Sequence, residues 1–450
     1  KYGKKSYADL AKKIQKNKAV VFTKIGKYVV TYTVSDKAKN KATKKRTVTV
    51  VAKTEEGKTT EAATTQSQTT ENNVTTEQVT TAATTEQVTT VATTGTTEQV
   101  TTAATTEALK KIVLTNTEGK DAGDVAALEK IITEKNSKGA CIDTDLNSDA
   151  YKWDDVGRLI VIDWERKNIR DSLEMPEFTA LIGLDCGANG LTALDVSKNT
   201  ALVSLVCGDG YLTELDVSKN TALKALTCYN NQLTELDVSE NRDLTWLNCS
   251  KNQLTTLDIN GAIALKTLYC DYNQLTELDI SKNTALTELN CYNNQLITLD
   301  VSSAIALKEL SCKENQLTEL DVSKNTTLMA LYCGANGLTE LDVSKNTALT
   351  ELGCWDNQLT KLDVSKNTAL TGLDCRSNQL TELDVNKNTE LMGLNCSDNQ
   401  LTALDVSENT ALRALYCWSN QLTELDVSKN TNLTEVDYDK NSVAITGWPK

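Results

Sequence analysis

From Leu159 to the end of the chain, apolar and polar positions follow a fixed rhythm. In "LTELDISKNTALTELNCYNNQ", Leu275 to Gln295, apolar residues recur at Leu275, Leu278, Ile280, Leu286, Leu289 and Cys291. Strict alternation over a few residues predicts a half-buried extended segment. Leu289 and Cys291 then face inward, with Asn290 and Tyr292 facing out. Leu278 and Ile280 face inward in the other half. Each repeat therefore predicts two strand-and-bend halves. An asparagine sits at each bend, Asn283 in one half and Asn294 in the other. Its amide can serve backbone groups of the neighbouring coil, because buried backbone polar groups must find partners.

The same string returns every 21 residues. Twelve cysteines keep that spacing from Cys186 to Cys417, Trp164 takes the slot in the preceding coil and Tyr438 takes it after the last. That makes about fourteen coils, and a fixed period over a dozen copies marks a repeat architecture. Both halves fit L-x-x-L-x-L-x-x-N, with Cys or Val/Ile in the sixth slot. The pattern resembles leucine-rich repeat proteins, and within them the bacterial internalin-like group whose 21-residue repeats carry a cysteine ladder. The resemblance covers residues 159–450. It implies a mainly β fold, a parallel β solenoid with an N-terminal helical cap, and a role in surface adhesion or ligand capture.

The cysteine row is read as packing. Strands in such a stack lie about 4.8 Å apart. That is too far for Cβ atoms in a disulfide, and parallel side chains do not converge on a tetrahedral metal. A buried thiol behaves as a small, inert apolar residue. Cys141, outside the row, is expected to be buried as well.

Three segments precede the array. Residues 108–158 are read as its cap, which shields the apolar end of the stack. In "DVAALEKIITEKN", Leu128, Ile131 and Ile132 share a helical face, with Asp124 as the N-cap. A strand from "YKWDDVGRLIVIDW" follows, and Trp153 and Trp164 are assigned to cap packing. Residues 54–107 contain 23 threonines, and "TTEQVTT" occurs three times. Such a segment cannot bury enough apolar surface to offset its ordering entropy, so it is expected to be a disordered linker, spanning ~40 Å as a coil. Residues 1–53 predict strands in "KYVVTYTVSD" and "KRTVTVVAK", a turn in "DKAKNKAT" and a helix in "SYADLAKKIQK". The two strands and their turn resemble the closing hairpin of bacterial Ig-like modules, here a partial module truncated at Lys1.

Charge separates the ends. Residues 1–53 hold sixteen Lys or Arg against Asp9 and Asp36, a net of +14, which leaves −28 for the remainder of a chain whose total is −14. The basic end suits an anionic cell-wall polymer. No basic-and-aromatic motif accompanies it, so nucleic acid is not an expected partner. No apolar run is long enough to span a membrane. The start at Lys1 and the stop at "GWPK" read as a piece of a longer protein.

The chain has no histidine. That removes Ser-His, Cys-His and His-metal chemistry from these residues. No phosphate loop or dinucleotide fingerprint is present. The stacked Asp195, Asp216, Asp237, Asp258, Asp279 and Asp300 have no calcium-loop spacing; lysines such as Lys198, Lys219 and Lys282 are expected to offset their repulsion. Neither an enzyme nor a cofactor is expected.

The outward slots around the cysteines change in almost every copy, whereas "LTELDVSKNT" hardly changes. A scaffold face repeats and a recognition face varies. Tyr, Trp and Arg carry most binding energy at interfaces. The candidate ligand-binding residues are therefore Trp246, Tyr269, Tyr272, Tyr292, Tyr332, Trp355, Arg376, Tyr416 and Trp418. The expected protein is extracellular, at a bacterial surface or secreted, and binds a protein or glycan on host or neighbouring cells. The alternative is a non-catalytic structural or accessory region of a larger secreted wall protein or enzyme.

Overall fold

The computed structural model describes Gly26–Ser35, Lys41–Val50 and residues 112–448. The chain divides between Ala103 and Ala104 into two units. The helical reading of residues 6–16 and the linker reading of residues 54–107 fall outside the described residues.

In the first unit, β1 (Gly26–Ser35) and β2 (Lys41–Val50) form an antiparallel hairpin, paired from Gly26↔Val50 to Ser35↔Lys41. The Val- and Thr-rich composition favours this extended pairing. Residues 41–43, expected in the turn, belong to β2, because the register carries pairing through to Lys41.

The second unit opens with α1 (Ala122–Ser137), whose Leu128, Ile131 and Ile132 are buried as the helical spacing requires. Its N-cap is Asp121, not Asp124: the Asp121 carboxylate accepts from the N–H groups of Gly123 and Asp124 at 2.9 and 3.0 Å. Asp124 lies one turn further in and accepts from Leu159 N–H at 2.8 Å, tying the helix to the first coil. β3 (Tyr151–Trp153) pairs antiparallel with β4 (Leu159–Asp163), and parallel stacking begins from β4. Trp164 is fully buried, and its N–H donates to Asp185 O at 2.7 Å, just as Cys186 N–H donates to Val206 O at 2.8 Å. Trp164 thus fills the cysteine slot, its indole N–H reaching the Tyr151 hydroxyl. Cys141 is exposed, contrary to expectation. It follows the helix C-terminus, where its N–H is held by Lys167 O while the side chain faces outward.

From β3 onward, three- to five-residue strands build one 15-stranded sheet ending at Glu435–Asp437, all parallel after β4 and in register at 21-residue steps. The result is a parallel β solenoid of about fourteen turns. The core is a stack of columns. In the coil quoted above, Leu275, Leu286, Leu289 and Cys291 have no exposed surface. All twelve row cysteines are buried and free. Burial pushes the Cys228 and Cys291 thiols up to about 12.

The strand-half asparagine works as a four-way connector. Asn294 donates to Cys270 O and Cys291 O at 3.0 Å and to Tyr292 O at 3.4 Å, and accepts from Leu275 N–H at 3.0 Å. Asn283, in the other half, donates to Ile259 O at 3.0 Å and Ala262 O at 2.9 Å, while its buried Oδ1 has no partner.

The second half of most coils is extended but is not a strand. Its aspartate claims a backbone donor locally: Asp279 Oδ1 accepts from Ser281 N–H at 2.9 Å. That bond answers how the stacked aspartates coexist. The acidity of Asp195, Asp216 and Asp279 rises chiefly through hydrogen bonds from the serine two residues on, with Lys198, Lys219 and Lys282 contributing less. Short pairs do form at three places, Arg170–Glu174 with Gly190–Asp195, Glu235–Asp237 with Thr256–Asp258 and Glu424–Asp426 with Ala444–Thr446, and at Gly261 neighbouring coils approach closely. The approach is so close that a Cβ on Gly261 would lie 1.6 Å from Ser239 O.

After each strand the chain turns through a residue in the left-handed region. One non-glycine residue per coil, from Ala188 to Ser419, has φ between 51° and 56°. For example, Tyr272 N–H donates to Tyr292 O at 2.9 Å, so stacking holds this conformation.

Candidate functional site

The outward face of the strands presents three columns, two on each strand and one just after the buried cysteine. The left-handed residue adds a fourth. The nine candidate residues occupy these columns, but they form separate groups.

The first group joins two neighbouring strands. Trp246 and Tyr269 meet edge to face, with centroids 5.2 Å apart at 88°. The Tyr269 hydroxyl donates to Glu288 on the next strand. Burial first, and then the Glu288 and Glu309 carboxylates, push its pKa well up. Glu288 lies in register opposite Glu309, and the Glu309 pKa is raised by burial and then by Glu288.

The second group lies behind the cysteines. Tyr272 and Tyr292 pack at 4.8 Å and 71°, with 3.0 Å between their hydroxyls. Tyr292 donates to Glu314 at 3.2 Å. Lys251 Nζ lies 5.9 Å from the Tyr272 ring, and Lys313 Nζ lies 4.7 Å from Tyr292 and 6.0 Å from Tyr332. Geometry of this kind is a cation–π contact. The Tyr332 hydroxyl is made less acidic by burial and by Glu351 and Glu309.

The third group is Trp355 and Arg376, with the guanidinium carbon 5.3 Å from the ring and a 3.5 Å contact to Asp374. Tyr416 and Trp418 share one coil, separated from the third group by a coil presenting Asn395 and Ser397. Trp246, Tyr272 and Trp418 are 39%, 42% and 38% exposed, and the other candidates on the face are half-buried. The nine therefore do not make one continuous row.

Spacing had not singled out Glu288, Glu309, Glu314, Lys251 and Lys313. All but Glu309, which stands opposite Glu288, contact an aromatic partner from an adjacent coil, so the signal lies at separations of 19 to 22 residues rather than within a motif. Among the described residues, no group of three or more Cys, Asp or Glu side chains could hold a metal ion.

Over 64% of this chain and 68% of the other, the fold matches the functional domain of InlJ from Listeria monocytogenes, described as including a cysteine ladder, with 38% identity and a TM-score of 0.54. The chain belongs to the internalin-like leucine-rich repeat proteins. Two further structures share the fold at lower identity. A leucine-rich repeat protein of Leptospira interrogans has 24% identity and a TM-score of 0.57, covering 63% of this chain and 78% of that one. InlF of Listeria monocytogenes has 20% identity and a TM-score of 0.51, covering 75% and 94%. Residues 2–50 match the family model "Bacterial surface protein, Ig-like domain", which agrees with the β1–β2 hairpin. Comparison with curated protein sequences returns no match. Among the described residues, no helix of this internalin-like chain is long and apolar enough to cross a membrane.

Proposed function

We propose that this internalin-like chain is a non-catalytic adhesion protein, displayed at a bacterial surface or secreted, that captures a protein on a host or neighbouring cell through the outward strand face. One observation carries the reading. The buried Leu, Cys and Asn columns repeat from coil to coil, while the outward columns change and gather exposed Trp and Tyr. Conserving a scaffold needs no such variety, and half-exposed aromatic groups are the usual anchors of protein interfaces. In this reading, residues 54–107 are a Thr-rich stalk that spaces the array from the basic residues 1–53, which contact anionic wall polymer.

The test uses beads coated with the full chain, applied to epithelial monolayers and to bacterial cells. Wild type should adhere to at least one. The quadruple variant Tyr269→Ala, Tyr332→Ala, Trp355→Ala, Trp418→Ala should lose adhesion while keeping the far-UV spectrum and unfolding midpoint of a folded array. Full adhesion by that variant, or no adhesion by wild type, would sink the proposal.

A further inference from the structure

The aromatic groups of the strand face differ in one respect. Tyr272 has Lys251 over its ring, Tyr292 has Lys313, and Trp355 has Arg376. The Trp246–Tyr269 pair, like Tyr416 and Trp418, has no such cation among the described residues. Beside it stand Glu288 and Glu309, paired in register on adjacent strands. Like charges directly opposite each other destabilise a sheet, with Cβ atoms about 5 Å apart. Among the described residues, neither glutamate forms an ion pair. Tyr269 donates one hydrogen bond to Glu288, which holds that carboxylate but brings no cation to either glutamate.

The surroundings define a shape. Tyr269 and Tyr332 stand on strands three steps apart, about 14 Å at the usual strand spacing. Between them the outward slots hold the short side chains Asn290 and Ser311, so the floor is low. Glu288 and Glu309 line one side, Tyr292 and Lys313 occupy the column on the other, and Glu351 lies one strand beyond Tyr332. The opening is therefore a shallow trough with aromatic ends and an acidic flank. The missing partner is a positive charge on a flexible apolar stem. Ring faces attract such a cation, and lysine and arginine bury their stems along apolar surface while the head meets carboxylates. Overall charge agrees, since the chain beyond residue 53 carries −28.

We propose that the strand face between Trp246 and Tyr332 docks a lysine- or arginine-bearing segment of another protein, with a cationic head between Glu288 and Glu309 and its stem against Trp246 and Tyr269. This rests on the reading of the outward face as the ligand surface, and it names the chemistry of the ligand.

The probe is fluorescein-labelled decalysine, titrated against the full chain by anisotropy in 50 mM NaCl. Saturable binding is expected. Glu288→Gln with Glu309→Gln should weaken it at least tenfold, and Trp246→Ala by a similar factor. The isosteric Gln keeps an acceptor for Tyr269, which guards the fold. Asp279→Asn with Asp300→Asn removes the same charge from the other half of the coil and should change affinity less than twofold. Equal loss in both double variants would mean general charge attraction and would overturn the proposal, as would unaltered binding by the glutamine pair. In the bead assay, decalysine should block adhesion. If the glutamine pair adheres normally while the aromatic quadruple variant does not, adhesion by this face stands and a basic ligand does not.

Discussion

Removing one strand-half asparagine tests what holds neighbouring coils together. Asn294→Ala deletes two donated bonds at 3.0 Å, a weaker one at 3.4 Å and one accepted bond at 3.0 Å. Leu275 N–H is left buried without a partner, whereas Cys270 O, Cys291 O and Tyr292 O each keep one donor, from Asn273, Asn315 and Tyr272. At about 1 kcal/mol net per good bond, the cost is about 3 kcal/mol. Asn283→Ala removes two donated bonds but also relieves an Oδ1 that is buried without a partner. Its cost should be about 1 kcal/mol on the same scale. The chain has made this second change itself, with alanine at 262 and 304, where Ser303 Oγ donates to Ile280 O at 3.2 Å. The difference of about 2 kcal/mol corresponds to a factor of about 30 in local opening. Each coil contacts only its neighbours, so the effect should stay within a few coils of the lesion. Hydrogen exchange read by mass spectrometry checks this. Asn294→Ala should speed exchange strongly in peptides covering Leu275 and Cys291, and Asn283→Ala only mildly in those covering Ile259 and Ala262. Equal effects, or a larger one for Asn283→Ala, would refute the connector argument.

Two other expectations follow from packing. A thiol reagent at pH 8 should label Cys141 alone in the native protein and all thirteen cysteines in guanidinium, because burial holds the row protonated and enclosed; native labelling of several thiols would refute the ladder as packing. Gly261→Ala should lower the unfolding midpoint by about 1–3 kcal/mol equivalent, since its Cβ meets Ser239 O at 1.6 Å, while Gly393→Ala, with nothing within 4 Å, should be neutral or mildly stabilising.

Much of the fold could be read from one repeat. Alternation placed Leu289 and Cys291 inside, and the period placed Trp164 in the cysteine column, because both signals reflect burial that recurs in every coil. Local competition was harder to read. Alternation alone made Leu278–Ile280 look like a strand, yet that half pairs in only a few coils, although Asp237 and Asp279 alike accept from the serine two residues on. At α1, Asp121 and Asp124 are both good caps by type, and the backbone path chose the earlier one. Cys141 has the residue type of the row without its repeat environment. For the site, residue type found the aromatic groups, but their partners Glu288, Glu314 and Lys313 lie one coil away. They become visible only when the sequence is written as a grid 21 columns wide.

The left-handed residue after each strand has a consequence for how such a surface can change. Non-glycine residues pay about 1 kcal/mol or more to sit there, yet the slot accepts Ala, Asp, Asn, Lys, Tyr, Glu and Ser in different coils. The stack dictates the backbone whatever the side chain. Each coil thus offers one address whose occupant can be rewritten without redrafting the scaffold. Tyr272, Lys251 and Glu314 reach the strand face from that address. Ligand preference in this array can therefore drift one coil at a time while the interior stays fixed.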